Sequence, residues 1–358
     1  MPSLSETARQ ILDLPREAGT PEASTARELV AAHLTGLGYR VVVQRFTFAP
    51  SSLLAFPLFG DGLGLLGLVL LPFLGSDRLP AWAALAVWSG GLAATALVAA
   101  GIGLGWVPLG GGLREDANLI ATRGDVSPRR WIVAHLDSKS QMHSMAGRLV
   151  AVWLCGLAIV TLSLFAGLRL RAPLPPFWAG LGPAVALLAG FLARRGRLKG
   201  GSLGARDNGT GVVAALAAAE ASPDSRLGVL ITGAEEFGLV GARVFTRFFP
   251  GSKDAEFVNV DTVDQEGNLY LVSHDARGER LAREVEPWLS GLGLPVRRRS
   301  LPLGIFVDSA PLARGRLPAI TIGRLTWNTL RLIHTPADTP DGLSFRTAEA
   351  VGKAIGSN

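Results

Sequence analysis

Four long, almost uncharged runs interrupt a chain that otherwise alternates short apolar segments with polar ones. Residues 53–74 hold one charge, Asp61, and residues 81–107, 149–168 and 177–193 hold none. A helix needs about 20 residues to cross the hydrocarbon core of a bilayer, with about 17 as the lower limit. Each run therefore predicts a membrane-spanning helix, the fourth only just long enough. The loops between them, residues 75–80 and 169–176, are short. Short loops make antiparallel hairpins, so the polar segments all emerge on one face of the membrane. Trp106 and Trp178 lie near span ends, as interfacial tryptophans do. Gly90, Gly91, Gly101 and Gly103 offer places for close helix packing. Asp61 would cost about 2.5–3.5 kcal/mol at mid-bilayer on insertion scales, which predicts that it faces the bundle or sits shallow.

The polar segments change period. Residues 24–38 read as an amphipathic helix with Leu29, Leu34 and Leu37 on one side and Gly38 as its stop. Tyr39 to Phe48 alternates as a strand does. Residues 117–122 and 130–135 are further strands around Gly124-Asp125 turn chemistry, and residues 210–221, rich in alanine, are a helix. Strands follow at 226–232, 256–260, 268–273 and from Pro318 to Gly323. Helices alternating with strands predict an α/β fold, a mostly parallel mixed sheet flanked by helices and interrupted by two transmembrane helical hairpins. The expected organisation is a discontinuous domain, residues 1–52, 108–148 and 194–358, with hairpins at 53–107 and 149–193.

Composition agrees with a membrane protein: 48% of residues are hydrophobic and the mean hydropathy is +0.33. The net charge of +6 is unevenly spread, and its position beside the apolar runs argues against a nucleic-acid partner. Arg45, Arg114, Arg148, Arg194, Arg195, Arg197 and Lys199 flank the spans on the face of the polar segments, whereas the opposite loops hold Arg78, Arg169 and Arg171. That imbalance predicts a cytoplasmic polar domain. The segment Met1 to Gln10 lacks the apolar core of a signal peptide, which agrees. Arg297-Arg298-Arg299 reads as a solvated loop or strand edge. Cys155, the only cysteine, lies in an apolar run and excludes an internal disulfide framework.

Three predicted strands end in metal-ligand chemistry. Trp131-Ile132-Val133-Ala134 runs into His135, Gly228 to Thr232 into Glu235-Glu236, and Phe257-Val258-Asn259-Val260 into Asp261. Ligands of open α/β sheets gather beyond the carboxyl ends of strands, so these three are expected to converge. Asp207 opens a helix and His334 sits in a loop. Two histidines and three carboxylates form a nitrogen and oxygen donor set suited to zinc. Asp264 competes with Asp261 as a ligand, and Asp261 is preferred because it directly ends the apolar strand. Each piece alone has a plainer reading, Asp207-Asn208 as a helix cap and Glu235-Glu236 as solvated surface. Their combination is what carries weight.

These motifs resemble those of the co-catalytic di-zinc aminopeptidases, whose relatives include glutamate carboxypeptidases and glutaminyl cyclases. The matching residues are Ala134-His135-Leu136-Asp137-Ser138, Gly204-Ala205-Arg206-Asp207-Asn208-Gly209-Thr210-Gly211, Gly233-Ala234-Glu235-Glu236-Phe237-Gly238, Asn259-Val260-Asp261 and His334-Thr335-Pro336-Ala337-Asp338-Thr339. Asp308-Ser309-Ala310-Pro311 with Leu317-Pro318-Ala319 is similar to the family's late strand. The resemblance implies a zinc exopeptidase-like fold and two zinc ions per chain. His135 and Asp261 would hold one, Glu236 and His334 the other, and Asp207 would bridge them. It further implies that Glu235 is the general base, that Asp137 orients His135, and that the Asp207–Asn208 bond is cis. The expected activity is removal of N-terminal residues from peptide substrates by a membrane-embedded member of the family.

Two departures stand out. His135 and Asp207 are 72 residues apart, most of that length being the second hairpin, and Ile333 precedes His334 where many relatives have a tyrosine that stabilises the oxyanion. The run His135-Leu136-Asp137-Ser138-Lys139-Ser140 is reminiscent of single-zinc glutaminyl cyclases, which keeps cyclase-like acyl transfer as an alternative. A non-catalytic binding module with the same fold is a third reading, against which the complete ligand set argues. His33 is expected at a surface or core edge, His143 as a loop residue, and His274 without a role. The sequence leaves oligomeric state, native metal and side-chain preference open.

Overall fold

The computed structural model describes residues 3–196 and 201–358. The flanking charges Arg197 and Lys199 therefore lie outside the described residues. The chain divides into two compact units. Unit 1 comprises Met1–Phe48, Leu113–Ser140 and Gly200–Asn358, and unit 2 comprises Ala49–Gly112 and Gln141–Lys199.

Unit 1 begins with helices α1 (Leu4–Leu12) and α2 (Pro21–Gly36). Thr20 caps α2, its Oγ1 accepting from the Ala23 amide at 3.2 Å. Four strands of the sheet alternate with the rest: β1 (Arg40–Phe48), β2 (Arg114–Thr122), β3 (Arg130–His135) and β4 (Leu227–Thr232). The others are β5 (Glu256–Val263), β6 (Asn268–Ser273), β7 (Val296–Arg299) and β8 (Ala319–Leu325). The sheet order is β1-β2-β4-β3-β5-β8-β6-β7. Its centre, β4-β3-β5-β8, is parallel, while β1 and β2, β2 and β4, and β6 and β8 pair antiparallel. The result is a mixed α/β fold with a central sheet flanked by helices. Burial follows position: every residue of central β4 is buried, whereas edge strand β1 alternates and edge strand β7 is largely exposed. Arg297-Arg298-Arg299 belongs to that edge, where Arg298 pairs with Glu279 and Glu286.

Alternate residues of β3 feed two cores. Ile132 and Ala134 pack with Val258, Val260, Val229 and Leu216 on one face. Trp131 and Val133 pack with Phe245, Phe257 and Leu312 on the other. Later in unit 1 lie α7 (Thr210–Ala221), α8 (Val240–Phe248), α9 (Ala276–Ser290), α10 (Ser309–Arg314), α11 (Trp327–Leu332) and α12 (Arg346–Gly356). The segment expected as a late strand from Asp308 is helical as α10, and the strand starts only at Ala319, because Pro311 and Pro318 cannot donate to a ladder. His33 is not at an edge but buried, its Nδ1 3.0 Å from Thr7 Oγ1 and its Nε2 3.1 Å from Glu220 Oε1.

Unit 2 holds α3 (Ala55–Gly75), α4 (Ala81–Gly103), α5 (Met145–Leu168) and α6 (Pro176–Arg194). All four are long and apolar enough to cross a membrane. α3 runs against α6 at very short range. A Cβ on Gly190 would stand 2.5 Å from the Gly60 carbonyl oxygen, and one on Gly60 would stand 2.4 Å from Ala193 Cβ. Of the glycines expected to mediate packing, Gly91 does so, a Cβ there standing 2.5 Å from Leu66 Cδ1, and Gly103 approaches Ala55 Cβ at 3.2 Å, whereas nothing lies within 4 Å of a Cβ on Gly90. Asp61 sits 3.8 Å from Arg194 at the end of α6. Arg169 is buried and donates to the carbonyls of Phe73, Ser76 and Leu79, so it closes the C-terminus of α3.

Candidate metal centre

The three central parallel strands deliver their ends to one place. His135 is the last residue of β3 and lies opposite Thr232, the last of β4, across the ladder. Glu235 and Glu236 follow in the next turn. Asp261 falls where the pairing of β5 with β8 shifts register between Val260 and Val263. Such a bulge re-aims one side chain out of the strand's alternation. Asn208 secures it, its Nδ2 donating to Val260 O at 2.9 Å and its Oδ1 accepting from the Thr262 and Gly211 amides at 3.1 and 3.0 Å. The Asp207–Asn208 peptide bond is cis. Left-handed backbone gathers around the same residues. Ala234, Thr262 and His334 all have positive φ, at 50°, 56° and 67°. Non-glycine residues in that region cost about 1–3 kcal/mol each and persist only where surroundings impose them.

Two groups of donor atoms result, each with its members within 4.8 Å of one another: His135, Glu235 and Asp261, and Asp207, Glu236 and His334. All six residues are buried apart from a partly exposed Asp261. Asp207 reaches both groups. Its Oδ1 is 3.2 Å from His135 Nε2 and its Oδ2 is 3.0 Å from His334 Nε2. Asp261 Oδ1 lies 3.8 Å from His135 Nε2, and Glu236 Oε1 lies 3.1 Å from His334 Nε2. All five expected ligands are thus brought together, with Glu235 beside them. Asp264 is elsewhere: it accepts from Thr329 Oγ1 at 2.7 Å and pairs with Arg206.

The donors fit a bound cation. His135 Nδ1 lies 3.0 Å from the Asp137 carbonyl, which can only accept, so the ring proton belongs on Nδ1 and the Nε2 lone pair points at two carboxylates. Lone pairs and carboxylate oxygens repel unless positive charge sits between them. The electrostatics of the cluster carry the same demand. Burial pushes His135 down, but Glu235, Asp207 and Asp261 outweigh it and raise its pKa well above the usual histidine value. Burial likewise opposes ionisation of Asp207, yet the adjoining His135 and His334 imidazoles hold it far below the usual carboxylate range. Glu235 behaves oppositely: burial, with Glu236, Asp308 and Asp261 nearby, raises it well above an ordinary glutamate despite the pull of His135.

Asp137 serves the site differently from the sequence expectation. Its backbone carbonyl, not its carboxylate, orients His135, since the carboxylate oxygen is 3.8 Å from Nδ1. The carboxylate instead accepts the Glu235 and Glu236 amides at 3.0 and 3.1 Å, fixing the turn that aims both glutamates. Burial pushes this group up to about 7, against the opposing effect of His135.

Four residues in and around the site had no role in the sequence reading. Lys139 Nζ donates to Glu236 Oε2 at 2.5 Å. Asp308 accepts from Thr232 Oγ1, and burial lifts it to about 6. Asp338 accepts the Arg206 and Asp207 amides at 2.8 and 3.2 Å, holding the loop that presents Asp207. Arg16 is fully buried and donates to the carbonyls of Leu136, Leu203 and Gly204, tying α1's following loop to both sides of the site. Lys139, Asp308 and Asp338 lay inside quoted motifs. Arg16 carried no local signal, because the three partners that tie it to the site are more than a hundred residues away.

The chain superposes on solved structures at low sequence identity. An aminopeptidase from Aneurinibacillus sp. strain AM-1 matches with a TM-score of 0.57 and 16% identity over 99% of this chain and 92% of that one. A glutaminyl cyclase from Fimbriiglobus ruber matches with a TM-score of 0.56 and 16% identity over 98% and 92%. BSAP, a zinc aminopeptidase from Bacillus subtilis, matches with a TM-score of 0.55 and 15% identity over 99% and 93%. At such identities the likeness concerns the fold. No curated protein sequence matches the chain. The family model described as peptidase family M28 matches residues 118–357, a span that includes every residue of the centre, and the chain belongs to that family.

Proposed function

We propose that this protein is a membrane-anchored, zinc-dependent exopeptidase, an aminopeptidase that removes N-terminal residues from short peptides. The observation that carries the reading is Asp207 spanning two histidines, each of which also faces a second carboxylate. His135 and Asp261 would hold one zinc, Glu236 and His334 the other, with Asp207 shared. Zinc bound there would polarise a scissile carbonyl and make a coordinated water more acidic.

The chain's own residues supply the rest. Glu235 is the proposed general base: it takes the proton from the attacking water and returns it to the leaving amine. Burial, with Glu236, Asp308 and Asp261 nearby, raises its pKa, the direction expected of a carboxylate that takes up a proton during the reaction. Asp137 keeps Glu235 and Glu236 pointing apart through their amides. Ile333 precedes His334 and has no polar group to offer an oxyanion.

Zinc-loaded full-length protein in detergent should release free amino acids from aminoacyl or dipeptide substrates. Glu235→Ala should lower the rate by about 10²–10⁴-fold. Equal release by the two proteins would remove Glu235 from the mechanism. The second reading, glutaminyl cyclisation, is favoured by Lys139 in the run after His135 and by the likeness to glutaminyl cyclase structures. Peptides beginning with glutamine decide: pyroglutamate formation without cleavage of other peptides supports the cyclase.

The four apolar helices support anchoring, and the basic residues flanking them support a cytoplasmic unit 1. An alkaline phosphatase fusion at the C-terminus, active only outside the cytoplasm, should be silent, and an active fusion reverses the orientation.

A further inference from the structure

One buried cation in the centre has no part in the chemistry above. Lys139 is 2% exposed, and its Nζ lies against Glu236 Oε2. The other oxygen of that carboxylate, Oε1, is buried without a hydrogen-bond donor and faces His334 Nε2 at 3.1 Å. Lysine is among the residues least often fully buried, and when buried it is paired. This pairing uses one of the two oxygens that Glu236 could give a metal ion. It also fixes a positive charge inside the same dry volume, where like charges are poorly screened. Among the described residues no lysine or arginine pairs with Asp261, whose carboxylate accepts from the neutral Thr262 hydroxyl at 3.1 Å.

We propose that Lys139 is a positioning residue and built-in counter-ion, which turns Glu236 into a one-oxygen ligand and weakens the cation position formed by Asp207, Glu236 and His334 relative to the one formed by His135, Asp261 and Asp207. The proposal rests on the metallopeptidase reading. It makes the second ion exchangeable, so that occupancy of that position depends on free zinc while the first stays filled.

The test is a zinc titration of the full chain in detergent, stripped by a chelator and read with a chromophoric competitor. The wild type should bind in two steps whose dissociation constants differ by about tenfold or more. Lys139→Gln should tighten the weaker step by about tenfold and leave the tighter one within about threefold, whereas Lys139→Arg should keep the wild-type gap. Two equal steps in the wild type overturn the proposal, and so does a weaker step that is unchanged or loosened in folded Lys139→Gln. If Lys139→Gln does not fold, the wild-type gap and its retention in Lys139→Arg still decide. Absence of any zinc binding by the wild type would sink the metallopeptidase reading itself, an outcome separate from a failure of Lys139 alone.

Discussion

The two units solve the burial problem in opposite ways. Unit 1 puts its large side chains inside: Trp131, Phe245, Phe257, Ile132 and Leu216 are all buried around the sheet. Unit 2 buries many of its smallest residues, Ala158, Ala166, Ala186, Ala189 and Ala193 with Gly60 and Gly190, alongside a few leucines. Many of its large residues point outward, among them Leu65, Leu97, Val160 and Phe191, with Leu97 72% exposed, although Trp88 and Phe165 are buried. In water that would be an apolar surface far larger than monomers tolerate. In lipid it costs nothing, and close backbone approach rather than apolar burial holds helices together. Buried charge differs as well. In unit 2 the Arg169 guanidinium finishes a helix, whereas in unit 1 buried carboxylates, imidazoles and one lysine face each other without mutual saturation. The first arrangement is satisfied as it stands, and the second calls for a cation.

The sharpest way to break this contrast is to add one methyl group to the small-residue seam. Gly190→Ala places a carbon 2.5 Å from a backbone oxygen, which cannot move aside as a side-chain tip would. Overpacking of this kind costs about 1–3 kcal/mol, and the upper end is expected here. Gly90→Ala meets nothing within 4 Å and should be neutral or slightly stabilising through helix propensity. Thermal unfolding in detergent distinguishes them. Equal midpoints would mean that the α3–α6 seam does not hold unit 2 together.

The same contrast explains what the sequence made legible. Long apolar helices are read from length and apolarity, properties summed over twenty residues, and all four helices appear within a few residues of expectation. Strand-end donors are read from residue type at a boundary: His135 ends β3 and Glu235-Glu236 follow β4, whereas Asp261 lies inside β5, at the bulge before its last residues, and not at its end. Pairwise geometry was not legible. No local pattern says which glycine meets which helix, so Gly60 and Gly190 went unnoticed beside the more conspicuous Gly90-Gly91. Nor does His-x-Asp spacing say that Asp137 reaches sideways to the Glu235 and Glu236 amides and leaves its carbonyl for His135. Arg16 acts across the interrupted chain and Asp338 across more than a hundred residues of one segment, where sequence distance hides proximity.

Asp137→Asn tests the site side of the comparison with a smaller expected effect. An asparagine offers one acceptor oxygen where two amides donate, and its NH₂ would face the second N–H. Leaving one buried donor unsatisfied costs about 1–3 kcal/mol. Because the orphaned amide belongs to the Glu235–Glu236 turn, peptide hydrolysis should fall by more than the loss of stability accounts for. Preserved turnover with a lowered unfolding midpoint would show that the turn is fixed by other contacts.

The smallest effect concerns His33, a buried polar group that is satisfied in the manner of unit 2 although it sits in unit 1. Burial pushes its pKa below the ordinary value, and Glu220 offsets only part of that. Below about pH 6.5 the unfolded chain therefore binds a proton that the folded chain refuses. Stability from this residue is complete above that pH and is lost as pH falls through it toward the depressed folded value. Asp338 has the opposite sign, because burial raises its pKa to about 6 and the folded state takes up a proton first. Total stability mixes the two, so the informative quantity is the difference between wild type and His33→Gln, which keeps polar contacts to Thr7 and Glu220 without titrating. The wild type should lose ground to the variant between about pH 7 and 5. A difference that is flat, or that favours the wild type on acidification, would mean that His33 takes up its proton inside the folded protein, with Glu220 outweighing burial.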